Sequence, residues 1–153
     1  MFKLVSMVLN MLGIPSRNIH PAYNYEAGFE SFTKLNHDLI ITDWLENPDR
    51  GITLTKKIRT SRESPNIFVP IIMTAGSSHH SRVIRSRDVG VNEYLVKPFT
   101  AMSLATRIER VTERPRPFVL DKSYVGPDRR VKEEPYEGEE RRIDIPEVEK
   151  INR

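Results

Sequence analysis

Cysteine is absent from the 153 residues, which excludes disulfides, zinc–thiolate centres and thiol nucleophiles. Long apolar runs are absent too. The most apolar opening, Met1 to Ile14, is broken by Lys3, Ser6 and Asn10, so it is too interrupted for a membrane span. It also lacks the small-residue cleavage site of a signal peptide, and a cytoplasmic setting is expected. No glycine-rich loop follows a strand pattern, which argues against a cradle for a cofactor phosphate. Basic residues are not clustered with aromatics in the way nucleic-acid surfaces demand. Finally, no Asp or Glu precedes Glu26.

The formal charge of +3 is unevenly spread. Through Leu120 the chain carries 16 basic against 11 acidic residues; beyond it the count is 8 against 10. The length suits one domain with a core and a tail.

Apolar spacing predicts a helix over 2–13 that ends at Gly13, followed by an extended piece from Asn18 to Tyr23. Pro21 demotes that piece to an edge strand. A helix is expected over 25–35. Leu39, Ile40 and Ile41 then form an unbroken apolar run that reads as a central strand buried on both faces, stopping on Asp43. A helix over 52–61, a strand over 69–73 closing on Thr74, a helix over 81–89 and a strand over 93–96 ending at Lys97-Pro98 follow. Thr100 is placed to N-cap a last helix reaching about Arg114.

Alternating strands and helices with short connections predict a doubly wound parallel α/β sheet. Right-handed crossovers put the ends of three consecutive strands, Asp43, Thr74 and Lys97, along one edge. Ligands in such sheets gather outside the carboxyl ends of the strands. A carboxylate, a hydroxyl and an ammonium meeting there suit phosphoryl transfer onto the carboxylate, because positioning and charge stabilisation supply most of that catalysis. Taken singly, each has a plainer reading: a strand-end acid capping a turn, a turn threonine, a solvated lysine. His79 and His80 face different ways and have no third ligand in sight. Trp44 shields the pocket or packs on the loop.

Three segments carry a resemblance: Ile40-Ile41-Thr42-Asp43-Trp44 with Gly51 eight positions after Asp43, Ile71-Ile72-Met73-Thr74-Ala75, and Glu93-Tyr94-Leu95-Val96-Lys97-Pro98-Phe99. Over roughly 4–111 the chain resembles the receiver domain of two-component response regulators, of the single-domain, CheY-like chemotaxis type. The resemblance implies a flavodoxin-like sheet of strand order 2-1-3-4-5. It implies Asp43 as phospho-acceptor, Thr74 as switch hydroxyl, Tyr94 as switch aromatic, Lys97 as phosphate-sensing lysine and a cis Lys97-Pro98 bond. It further implies a sensor histidine kinase or phosphotransfer protein as donor, a downstream protein as target, and Mg²⁺ held by Asp43, the Leu45 backbone carbonyl and a pair of acids. The chain is expected to be a signalling protein rather than an enzyme, with no DNA-binding module, since the tail lacks a helix-turn-helix pattern.

Two departures follow. The family's first strand, which ends in the acid pair and lies mid-sheet, has no counterpart before the first helix. Glu46 and Asn47 stand where the family has an apolar residue and proline. The expected consequences are weak Mg²⁺ binding and a sheet that closes up, pairs its flanking strands directly or borrows a strand, Arg142 to Ile145 being one candidate. The simplest resolution expected is a start upstream of Met1. The acid gap also keeps open a degenerate, non-phosphorylated receiver acting as an adaptor or binding module; a small cofactor-binding α/β enzyme is the third reading.

The receiver domain is expected to end at 114. From Arg114-Pro115-Arg116-Pro117 onward, residues 115–153 read as a charged, disordered tail. That tail repeats one pattern, in Tyr124, Gly126, Asp128, Arg129 and Arg130 and again in Tyr136, Gly138, Glu140, Arg141 and Arg142, a candidate docking element.

Overall fold

Every predicted helix forms close to its expected bounds, because each carries its own apolar stripe and stop signals. The structure, a computed structural model, describes residues 1–44, 50–130 and 142–143. Helix α1 spans Phe2–Met11 and α2 spans Tyr25–Leu35. Asn24 caps α2 by accepting the Ala27 N–H at 2.8 Å, and Asn36 ends it in the left-handed conformation. Strand β1 is Ile40–Asp43, α3 is Arg50–Thr60 and β2 is Ile71–Ala75. Helix α4 runs His80–Asp88, β3 Glu93–Val96 and α5 Ala101–Glu113. Thr100 caps α5 as expected, accepting the Ser103 N–H at 3.1 Å. Among the described residues no helix is long and apolar enough to cross a membrane.

The strands β1, β2 and β3 form a parallel sheet in that order, with Asp43 level with Thr74 in the first ladder and Ala75 with Val96 in the second. Side chains alternate across it. Ile71, Met73 and Ala75 join Phe29, Phe32, Ile52, Leu54 and Ile58 of α2 and α3 on one face. Ile72 and Leu95 meet Val5, Val8 and Leu9 of α1 and Leu104, Ile108 and Val111 of α5 on the other. Helices thus cover both faces, the flavodoxin-like arrangement, in which the family's first strand has no counterpart among the described residues.

Two expectations at the missing strand are corrected. The 39–42 run is not central: all four residues of β1 are half-buried, whereas all five of β2 are buried. Ile40 and Trp44 direct their N–H groups to Pro70 O and Thr74 O of the β2 side, and on the other edge of β1 no described strand pairs. Nor does 18–23 form an edge strand. Ser16–Asn18 is a 3₁₀ turn, and the extended backbone at Ile19 has no neighbouring strand to complete a ladder. Among the described residues no strand fills the open edge of β1, and Arg142–Ile143 (β6) pairs with a later strand instead; residues 144 and 145 lie outside the described residues.

The largest correction concerns 115–130. In place of a disordered tail, Phe118–Asp121 (β4) and Tyr124–Pro127 (β5) make an antiparallel hairpin, with β6 on the far side of β4. Phe118 is fully buried, edge-on to Phe68 at 5.3 Å, and Tyr124 and Asp128 are buried as well. Burying one Phe contributes roughly 1.5–3 kcal/mol, enough to anchor a short hairpin that composition alone marks as solvated. The Asp128 N–H donates to Pro117 O at 2.7 Å, Tyr124 Oη to Pro127 O at 2.7 Å, and Arg129 reaches Asp88 at 3.1 Å. The first copy of the repeat is therefore a clamp folded onto the domain. Residues 131–141, which hold most of the second copy, and 144–153 lie outside the described residues.

Beneath the hairpin Arg59 is buried, and all five of its N–H donors are accepted by uncharged oxygens. Nε and one Nη donate to Gly90 O at 3.1 and 2.9 Å, and the other Nη to Ile67 O and Val69 O at 2.6 and 2.8 Å. The fifth bond goes to Asn92 Oδ1 at 2.9 Å. Burial pulls its pKa down to about 9. Gly90 is required here, since its φ is +94° and a Cβ would stand 2.6 Å from Val125 O.

Candidate functional site

Three strand ends bring the three expected groups together. Asp43 is the last residue of β1, Thr74 sits opposite it in β2, and Lys97 follows β3 directly. The backbone of Lys97 is tied to the sheet through its N–H to Ala75 O at 2.7 Å, and the Lys97-Pro98 bond is cis, as the resemblance implies. The Lys97 ammonium lies 2.9 and 2.8 Å from the two carboxylate oxygens of Asp43. The Thr74 hydroxyl is 3.3 Å from Asp43 Oδ1 and 3.4 Å from Thr42 O. The carboxylate side chain is 19 % exposed, open enough for a group to approach and sheltered enough for the ammonium to matter.

Gly51 explains how the loop after Asp43 returns so closely. Its N–H donates to Trp44 O at 3.1 Å, and a Cβ at this position would fall 2.2 Å from Asp43 O. Leu45, whose carbonyl is the expected backbone metal ligand, and Glu46 and Asn47 lie outside the described residues.

Tyr94 occupies the middle of β3 and is half-buried. Its Oη donates to Ser77 O at 2.6 Å, and its ring stands edge-on to Trp44 at 6.5 Å. Trp44, the residue after Asp43, is buried, with the guanidinium groups of Arg82 and Arg85 at 5.5 and 5.9 Å from its ring. An aromatic and cationic stack therefore links the residue after Asp43 to α4 and β3.

A match to the model of the response regulator receiver domain covers residues 1–109. This chain belongs to that family. The receiver is similar to chemotaxis protein CheY-3 of Vibrio cholerae, 31 % identical over 114 residues that span 74 % of this chain and 85 % of that protein. It is also similar to chemotaxis protein CheY1 of Helicobacter pylori, 37 % identical over 90 residues, 56 % of this chain and 71 % of that one. Among solved structures, a response regulator from Chloroflexus aurantiacus superposes with a TM-score of 0.64 at 27 % identity, covering 73 % of this chain and 88 % of the other. Vibrio cholerae CheY4 superposes with a TM-score of 0.61 at 25 % identity, covering 71 % and 87 %.

Two things in this receiver escaped sequence reasoning. Met1 places its thioether 3.5 Å from the Thr74 hydroxyl, and nothing in the helical spacing of α1 signals that the residue capping it reaches the site. His20 and His37 stack with centroids 4.9 Å apart, and Ser31 Oγ bonds His37 Nε2 at 2.9 Å. The signal there was available, since α2 ends just before His37. His79 and His80 are exposed and belong to no group of three metal-binding side chains among the described residues.

Proposed function

We propose that this receiver takes a phosphoryl group on Asp43 from a phosphohistidine of a sensor histidine kinase or phosphotransfer protein and passes that state to a downstream protein by direct contact. The observation that carries this reading is the meeting of Lys97 and Thr74 on one carboxylate at the strand ends. An Asp43 oxygen forms the bond to phosphorus while the P–N bond breaks and the imidazole keeps the electron pair. The Lys97 ammonium is placed to pair with one phosphoryl oxygen and the Thr74 hydroxyl to donate to another. Tyr94, joined to Trp44 and Ser77, is the group placed to transmit the change to α4 and β3. The chain acts as acceptor and signal carrier rather than as an enzyme, in the cytoplasm.

The test is labelling by acetyl phosphate or an autophosphorylated kinase with excess Mg²⁺. An acid-labile label lost in Asp43→Asn is expected, and undiminished labelling of that variant overturns the assignment. A second reading, a non-phosphorylated adaptor, is favoured by one observation: among the described residues no cluster of three His, Asp or Glu forms around Asp43. Under it, the chain stays unlabelled and binds its target equally as wild type and Asp43→Asn.

A further inference from the structure

Receivers of this family bind Mg²⁺ at an acidic site, and the donor set around Asp43 does not fit that ion. Mg²⁺ demands near-octahedral oxygen coordination and is usually held through one or two carboxylates. Asp43 has both oxygens engaged by the Lys97 ammonium, and Oδ1 also faces the Thr74 hydroxyl. Beyond Thr74 stands the Met1 sulfur, a soft donor with little affinity for a hard cation. Among the described residues no group of three His, Asp or Glu assembles anywhere. Among the described residues one carboxylate stands against one ammonium there, which leaves no net negative charge to draw in a dication.

We infer that in the 153-residue chain Asp43 is an acceptor carboxylate without a Mg²⁺ site, its charge balanced by Lys97 in a closed ion pair. This rests on the acceptor reading above and adds that the cation and the acceptor are separable in this molecule. The distinction matters for mechanism. In the free chain the Lys97 ammonium, rather than a dication, is the positive charge a phosphoryl group meets beside Asp43.

Trp44 is the only tryptophan of the chain and adjoins Asp43, so its emission reports on cation binding there without any phosphoryl donor. The experiment is a MgCl₂ titration of the whole chain, read by Trp44 emission and by the ¹H–¹⁵N shifts of Asp43, Thr74 and Lys97. No saturable change is expected into the tens of millimolar. A saturable change in the millimolar range or tighter that Asp43→Asn abolishes overturns the inference. A change that survives Asp43→Asn places the cation elsewhere and sustains it. Failure of the acceptor reading shows differently, as label that persists in Asp43→Asn whatever the titration gives.

Discussion

Phe118 lies over the guanidinium of Arg59, its ring centroid 5.2 Å from Cζ, and so closes a buried cation that has only uncharged acceptors. The relationship ties the segment after α5 to the end of α3 and the approach to β3. Packing against the domain thus continues past Arg114 to about Arg130.

Phe118→Ala is therefore expected to destabilise the protein by about 3–5 kcal/mol, the range for emptying a buried aromatic site. A chain ending at Arg114 should lose at least as much, because Arg59 then faces water. Urea unfolding followed by far-UV circular dichroism measures both. Midpoints equal to wild type would show that the hairpin is not part of the folded unit.

Lys97→Met removes the ammonium from both oxygens of Asp43 while keeping an apolar stem of similar length. If it stabilises the incoming phosphoryl charge, the rate of Asp43 labelling should fall about 10²–10³-fold, the scale of losing one preorganised donor. Single-turnover labelling at fixed donor concentration gives the ratio, and an unchanged rate removes Lys97 from the chemistry.

Gly51→Ala tests the link between backbone and site. Its new Cβ would overlap Asp43 O, so the end of β1 or the start of α3 must shift. A loss of about 1–3 kcal/mol is expected, the usual cost of overpacking, together with slower labelling of Asp43. Wild-type stability and labelling in this variant would contradict the tight return described above.

His37 supplies a pH dependence. Burial first, and then the neighbouring His20, hold its pKa below the usual histidine value of 6.5. The unfolded chain takes up this proton before the folded one does, so the folded state loses stability as pH falls below about 6.5 and stops losing it once the folded pKa is passed. Denaturant midpoints between pH 7.5 and pH 5 should drop more for wild type than for His37→Gln. Equal slopes would remove His37 as the cause.

Most of the parallel sheet and the meeting of Asp43, Thr74 and Lys97 was legible in the sequence because both rest on short-range chemistry. An apolar run stopped by a carboxylate, a hydroxyl or an ammonium marks a strand end, and right-handed crossovers leave one way to align three of them. Asp43, Thr74 and Lys97 needed nothing more to be placed together, and Asn24, Asn36 and Thr100 mark their helix ends locally. What only the tertiary structure decided depends on neighbours. The run at Ile40 and Ile41 has the composition of a central strand, yet it lies at an edge because no described strand pairs along its other side. Asn18 to Tyr23 has an extended reading but no partner for a ladder. The hairpin of Phe118 to Pro127 is too sparse in apolar residues to bury a core of its own. It folds because the domain lends it Phe68, Gly90 and the covered Arg59, a long-range contribution that no local pattern encodes.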